Sequence, residues 1–257
     1  MRSLLSMDLR DTTCLVTGAS RGIGRAIAAE LATRPVARVI AGVRDPAGFE
    51  PIPGPVEPVE LDLAGRRSID AGWARVGAVD VLVNNAGQFV GGKLELQDPQ
   101  AIEQMVEVNL TAAMQLTRLA LPGMLARRRG LIVNNASISA YVHLPGSTTY
   151  AATKAGIVAF SEALRRELRG TGVEVLHLVT PGIETGMLEA TRDAYGGLAR
   201  AELRSQFTPE QWAARVVRSI EQGDSILGPG GILALGKLAS RGPARFVDLI
   251  AARFFRR

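Results

Sequence analysis

Short runs of apolar residues recur along the chain, separated by stretches in which every third or fourth position is apolar. The runs Thr12–Thr17, Ala37–Val43, Val59–Leu61, Val79–Val83, Leu131–Val133 and Val173–Val179 predict strands, and Ser225–Pro229 fits a last one. Gly22–Thr33, Ser68–Val76, Pro99–Leu125, Thr149–Leu168 and Pro209–Ile220 predict helices. Pro35 stops the first helix, and Pro122 is expected to kink the third. Asp45–Pro58 holds Pro46, Pro51, Pro53, Pro55 and Pro58, so an irregular loop is expected there. Strands that are apolar on both faces and alternate with helices imply a parallel sheet covered on both sides. Right-handed crossovers then give a Rossmann-type, doubly wound α/β fold, here one domain. In such sheets ligands bind beyond the carboxyl ends of the strands.

Composition narrows the picture. Of 257 residues, 47% are apolar and 21% charged, which excludes a disordered chain. The single cysteine, Cys14, excludes an intrachain disulfide and a multi-cysteine metal site, and no metal is expected. No apolar run reaches the length of a membrane span. MRSLLSMDLR lacks the apolar core of a signal peptide, so a cytoplasmic protein is expected. The net charge of +5 is mostly a property of residues 241–257, which carry +4. With aromatics at 5%, nothing suggests a nucleic-acid face.

Chemistry begins after the first strand, in Thr17-Gly18-Ala19-Ser20-Arg21-Gly22-Ile23-Gly24. Glycines allow a sharp turn and a close approach of pyrophosphate, and the helix that follows offers free N–H groups. Gly18, Ser20, Arg21, Gly22, Ile23 and Gly24 are therefore candidate nucleotide-binding residues. Arg44 stands twenty residues past Gly24, at the end of the second strand. An acid at that place binds the ribose 2′-hydroxyl of NAD, whereas an arginine accommodates the 2′-phosphate of NADP. Arg44 and Arg21 thus favour NADP(H), although Asp45 is also placed to face the ribose.

Tyr150 and Lys154 are four apart, on one face of a predicted helix. A free phenol has a pKa of about 10, so about 0.1% is ionised at neutral pH. A neighbouring ammonium favours the phenolate and suits the tyrosine for proton exchange with a carbonyl or alcohol oxygen. Alone, the pair is better read as a packed tyrosine beside a snorkelling lysine. The context decides: Ser137 lies thirteen residues before Tyr150, just past a strand, and Asn84-Asn85-Ala86-Gly87 follows another.

With TGASRGIG, ELDL, NNAG, VNL, YAATK and PGIET in this order, the chain resembles the short-chain dehydrogenase/reductase family, in its single-domain branch. The resemblance runs from about Thr12 to Ile220. It implies that Ser137 hydrogen-bonds the substrate oxygen and that Tyr150 is the acid/base. Lys154 would hold the nicotinamide ribose and lower the Tyr150 pKa, and Asn109 would shape a helix for a proton-relaying water. Asp62 and Leu63 would flank the adenine; Asn85, Ala86 and Gly87 would line the adenosine side. Pro181, Gly182, Ile183 and Thr185 would approach the carboxamide.

Departures are few. Asn135 and Ala136 stand where the family often has Ile and Ser or Gly, and little consequence is expected. Ser139 is off the spacing that selects Ser137. His143 reads as an exposed loop histidine and His177 as a core one.

The expected organisation is a core at 12–180, a substrate lid at 184–208 and a helical extension at 229–257. The lid carries Met187, Leu188, Tyr195, Leu198, Leu203 and Phe207, which fit either a hydrophobic substrate or packing of the lid on the body. The extension, with Phe246, Ile250 and Phe254, could cap the cleft, join a dimer or touch an anionic membrane surface, the last being the least expected. The expected protein is an NADPH-dependent reductase of a ketone or aldehyde, or the reverse alcohol dehydrogenase, acting on a medium-to-large hydrophobic small-molecule substrate and working as a homodimer or higher homo-oligomer. The alternatives are a 3-oxoacyl-carrier-protein reductase, or a catalytically silent NADP-binding sensor or scaffold.

Overall fold

A computed structural model describes residues 6–184, 207–228 and 230. The expected lid and C-terminal extension, apart from their few edge residues, lie outside the described residues, as does Thr185.

Seven strands form one parallel sheet: β1 (Thr13–Thr17), β2 (Arg38–Val43), β3 (Val56–Glu60), β4 (Val81–Asn84), β5 (Gly130–Asn135), β6 (Val173–Leu178) and β7 (Ile226–Leu227). Their order is β3-β2-β1-β4-β5-β6-β7. The helices are α1 (Gly22–Ala32), α2 (Arg66–Val76), α3 (Pro99–Val106), α4 (Ala112–Arg127), α5 (Thr148–Glu167) and α6 (Pro209–Gln222). The period-two pattern of the strands divides the core. Cys14, Val16, Val39, Ala41, Val81, Val83 and Leu176 pack in one cluster with Ile27 and Leu31 of α1 and Trp212 and Val216 of α6. Leu15, Ile40, Leu82, Ile132 and Val175 pack in the other with residues of α2, α4 and α5. Both faces are thus dry, as the continuous apolar runs require. Burial pushes the Cys14 thiol up to about 12, so it remains an inert core group.

Two elements differ from expectation. The strand read as Val59–Leu61 begins at Val56 and includes Pro58. Proline is tolerated because β3 is an edge strand, bonded only to β2. The long helix does not break at Pro122, which lies on the exposed side of α4, where water can satisfy the freed carbonyl. It departs from α geometry earlier, in a π-helical turn at Glu107–Thr111 that carries Asn109.

The strand order reverses direction between β1 and β4, so a crevice opens between their carboxyl ends. The glycine loop leaves β1 there, and the Asn85–Gly87 segment leaves β4. One strand further, β5 delivers Ser137 to the same edge, and α5 brings Tyr150 and Lys154 in its first two turns.

Candidate active site

The glycine loop and the Asn85 segment form a cradle that leaves no room for side chains. Gly18 has φ +65°, and a Cβ there would stand 2.9 Å from Ala86 Cα. A Cβ on Gly24 would collide with Gly18 O and approach Asn85 Nδ2 to 2.5 Å. Thr17 joins the two loops: its Oγ1 accepts from the N–H groups of Asn85 and Ala86, both at 3.0 Å. Arg21 is the N-cap of α1 in extended backbone, Gly22 and Ile23 open the helix, and no acidic residue stands in the first turn. Ser20 and Arg21 are exposed. The cradle, with the helix N-terminus behind it, fits a pyrophosphate.

Arg44 is exposed at the end of β2. Asp45, the competing candidate for the ribose, is turned onto its own loop: its Oδ1 accepts from Ala47 N and Gly48 N at 3.0 and 3.2 Å. Asp62 does likewise with Ala64 N, at 3.1 Å. Leu63 is buried in the core cluster with Leu61 and Ile69, with its main chain at that edge of the cleft.

On the other side, Ser137 is the N-cap of a 3-10 turn at Ile138–Ala140, and Ser139 serves it by donating its N–H to Ser137 Oγ at 3.2 Å. Ser137 lies close enough to the Tyr150 hydroxyl to favour its ionised form. Lys154 is buried, 4% exposed, and donates to Asn135 O at 2.7 Å. Its Nζ lies 5.7 Å from the Tyr150 ring centroid and would be 3.6 Å from a Cβ on Gly87.

Burial lifts the Tyr150 phenol to about 12, with Ser137 pulling the other way, and lowers the Lys154 ammonium to about 8. The direction at Tyr150 is thus opposite to that expected from an adjacent cation alone, because loss of water disfavours both charged forms.

Asn109 is buried with its side chain fully engaged. Its Oδ1 accepts from Gln88 N at 2.8 Å, and its Nδ2 donates to Gln88 O at 2.9 Å and Thr153 Oγ1 at 3.2 Å. Thr153 Oγ1 donates to Tyr150 O at 2.8 Å, so Asn109 ties the segment after Gly87 to the first turn of α5. Pro181 and Ile183 are buried beyond β6, and Ile183 bridges to Phe207. His143 is exposed and His177 is buried in β6, as read.

Three residues escaped the sequence. Thr17 gave no signal beyond preceding a glycine. Phe89 stacks edge-on against Tyr150, 5.2 Å between centroids at 75°, a contact that no spacing announces. Asn135 was read as a neutral departure, yet its amide donates to Asn85 Oδ1 at 2.9 Å and accepts from Thr180 Oγ1 at 2.5 Å. Its polarity at an apolar position was the signal.

Comparison with known proteins agrees with this geometry. The profile of the short chain dehydrogenases matches residues 12–196. A ketoacyl reductase, HetN, from Nostoc sp. is 35% identical over 226 residues, covering 83% of this chain and 76% of the relative. A 3-oxoacyl-acyl-carrier-protein reductase, FabG, from Vibrio cholerae is 37% identical over 196 residues, covering 73% and 80%. Among solved structures, a short chain dehydrogenase from Burkholderia cenocepacia in complex with NADP superposes with TM-score 0.80 at 26% identity, covering 98% of this chain and 100% of that one. One from Sphingobium yanoikuyae in complex with NADPH gives 0.76 at 25%, covering 94% and 93%. Sequence order, sheet topology and the Ser137–Tyr150–Lys154 cluster therefore converge: the chain belongs to the short-chain dehydrogenase/reductase family, NAD(P)-dependent oxidoreductases of carbonyl and hydroxyl groups.

Proposed function

We propose that the protein reduces a ketone or aldehyde with NADPH, or oxidises the corresponding alcohol, with Tyr150 as acid/base. The observation that carries this is a buried Lys154 whose Nζ lies 5.7 Å from the Tyr150 ring, with Ser137 at the end of β5 beside them and Gly87 of the cradle next to the ammonium. Gly18, Ser20, Arg21, Gly22, Ile23 and Gly24 would hold the pyrophosphate. Arg44 and Arg21 would take the 2′-phosphate, and Asp62, the main chain of Leu63, and Asn85–Gly87 the adenosine. Lys154, Pro181, Gly182, Ile183 and Thr185 would take the nicotinamide end. The nicotinamide, when bound, supplies or accepts the hydride.

A phenol held near 12 keeps its proton at neutral pH, which suits donation to a carbonyl oxygen as that oxygen gains charge. Ser137 donates a second hydrogen bond to the same oxygen and steadies the developing alkoxide. Lys154 keeps positive charge close to the phenolate left behind, and loses it as pH rises through about 8. Asn109, by holding both Gln88 and Thr153, keeps the two sides in register.

Phe89 beside Tyr150 supports a substrate with an apolar group next to its carbonyl. A second reading, reduction of a 3-oxoacyl chain on a carrier protein, is favoured by the likeness to HetN and FabG. A homo-oligomer in the cytoplasm completes the proposal; exposed Val106 and Met114, on α3 and α4, support the association. Among the described residues no helix is long and apolar enough to cross a membrane.

The test is NADPH oxidation with free ketones and aldehydes graded in apolar size, beside a 3-oxoacyl carrier-protein thioester, with Tyr150→Phe run in parallel. Turnover on free carbonyls that rises with apolar size and disappears in the variant is expected. Turnover on the thioester alone would establish the second reading. Undiminished turnover by Tyr150→Phe would refute the mechanism, and tight NADPH binding without turnover on any substrate would favour a sensor.

A further inference from the structure

Asn135 closes β5 at the rim of the cleft and is 9% exposed. Its amide completes a chain of bonds across the ends of four strands, β1, β4, β5 and β6. Asn85 Nδ2 donates to Thr17 O at 3.0 Å. A carbonyl can only accept, so Asn85 must turn its Oδ1 the other way, toward Asn135. Asn135 must then present Nδ2 to Asn85 and Oδ1 to Thr180, whose hydroxyl donates. The direction of every bond is therefore fixed. The same residue's main-chain carbonyl accepts from Lys154 Nζ.

The two ends of this chain serve different parts of the cleft. Asn85 opens the segment assigned to the adenosine side, and Thr180 directly precedes Pro181–Ile183, assigned to the nicotinamide side. We propose that Asn135 is a positioning residue that sets the nicotinamide-side segment against the adenosine-side segment, so that one dinucleotide is gripped at both ends. This rests on the nucleotide reading given above.

The two segments depend on Asn135 unequally. Asn85 and Ala86 are held independently by the Thr17 hydroxyl. The Thr180 hydroxyl has Asn135 as its partner, and the remaining tie at Thr180 is its carbonyl, accepting from Ile138 N at 2.9 Å. Loss of the amide therefore loosens the nicotinamide side at Thr180, leaving the Ile183–Phe207 bridge further along to hold it, and leaves the adenosine side in place. A residue serving only to fill and bond the sheet end would lower thermal stability without discriminating between whole and truncated nucleotides.

The experiment is a binding titration of the full chain with NADPH and with adenosine 2′,5′-bisphosphate, which lacks the nicotinamide half. Wild type, Asn135→Leu, Thr180→Val and the double variant are compared at a temperature well below their melting points. Asn135→Leu is expected to raise the NADPH Kd about fivefold to tenfold, the range of one buried hydrogen bond, and to leave the bisphosphate Kd within about twofold. Thr180→Val should show the same selective loss, and the double variant should be no weaker than Asn135→Leu. Asn135→Leu that binds NADPH like wild type, or that loses both ligands equally, would overturn the proposal. If Asn135→Leu does not fold, Thr180→Val decides alone: an unchanged NADPH Kd overturns the proposal, a selective loss upholds it. Wild type that binds neither ligand would overturn the nucleotide reading and this proposal with it, a result distinct from variants that match a binding wild type.

Discussion

The two sides of the cleft are built from different materials. The β1 side is made of main chain: a loop pressed against Ala86, with glycine wherever a Cβ would collide. The β5 side is made of side chains whose properties burial has shifted, Tyr150 upward and Lys154 downward. A main-chain surface tolerates no added atom but is indifferent to pH. A side-chain surface accepts small changes of shape but answers to every proton. The first suits gripping a phosphate of constant charge, the second moving a proton.

Substitutions can break this contrast. Tyr150→Phe should lower kcat by about 10³-fold or more while NADPH affinity stays within about twofold, read by steady-state rates and binding titration. Gly24→Ala should do the reverse in character. Its methyl meets Gly18 O, so nucleotide affinity should fall beyond detection, with a loss of about 1–3 kcal/mol in stability from overpacking, seen in denaturant melts. Lost affinity in the first variant, or retained affinity in the second, would erase the distinction.

The pH response sharpens it. Lys154 has its folded pKa lowered from 10.5 to about 8, so between these values the unfolded chain binds the extra proton and stability rises with pH. Tyr150 has its folded pKa raised from 10.0 to about 12, so above 10 the folded chain holds the extra proton and stability falls. Cys14, raised from 9.0 to about 12, acts like Tyr150 from pH 9 upward. Chemical denaturation of the nucleotide-free protein should therefore show a rise of about 1 kcal/mol between pH 8 and 9, a plateau to pH 10 and a decline beyond, and Lys154→Met should abolish the rise. Arg44→Asp tests a charge on the main-chain side: the ratio of NADPH to NADH affinity should drop about tenfold to a hundredfold, with kcat at saturating nucleotide little changed.

The smallest effect is expected one residue inside Asn135. Asn134 and Asn84 face each other in register, and their amides reach away from the cleft, to Ser161 at 2.9 Å and Thr117 at 3.2 Å. This rung fastens the sheet to α5 and α4. Ser161→Ala should cost about 1 kcal/mol in denaturant melts and leave nucleotide affinity unchanged.

Much of this was legible in the sequence because it rests on spacing. Alternation and helical period placed the elements, and the glycine loop, Ser137, Tyr150 and Lys154 announced themselves by order and separation. What spacing does not carry is burial and partner choice. Asp45 looked like a rival to Arg44 until its carboxylate proved to be bonded within its own turn. Leu63 shares a motif with Asp62 but turns into the core, because neighbours along an extended chain face opposite ways. The direction of the Tyr150 shift depends on how much water the fold removes, which no motif states.

The edge strand β3 has a consequence for assembly. Val39 N donates to Pro55 O and Leu61 N to Val43 O, so odd-numbered residues of this strand turn their polar groups toward β2. Pro58 therefore faces outward, where it withholds the N–H that an incoming strand would need. Glu57 and Glu60 flank it and are engaged with Arg38 and Arg75. The border of the sheet on this side is blunted against strand addition, a route to edge-to-edge aggregation. Copies of this chain can meet through helices without the β3 edge offering a competing, open-ended contact.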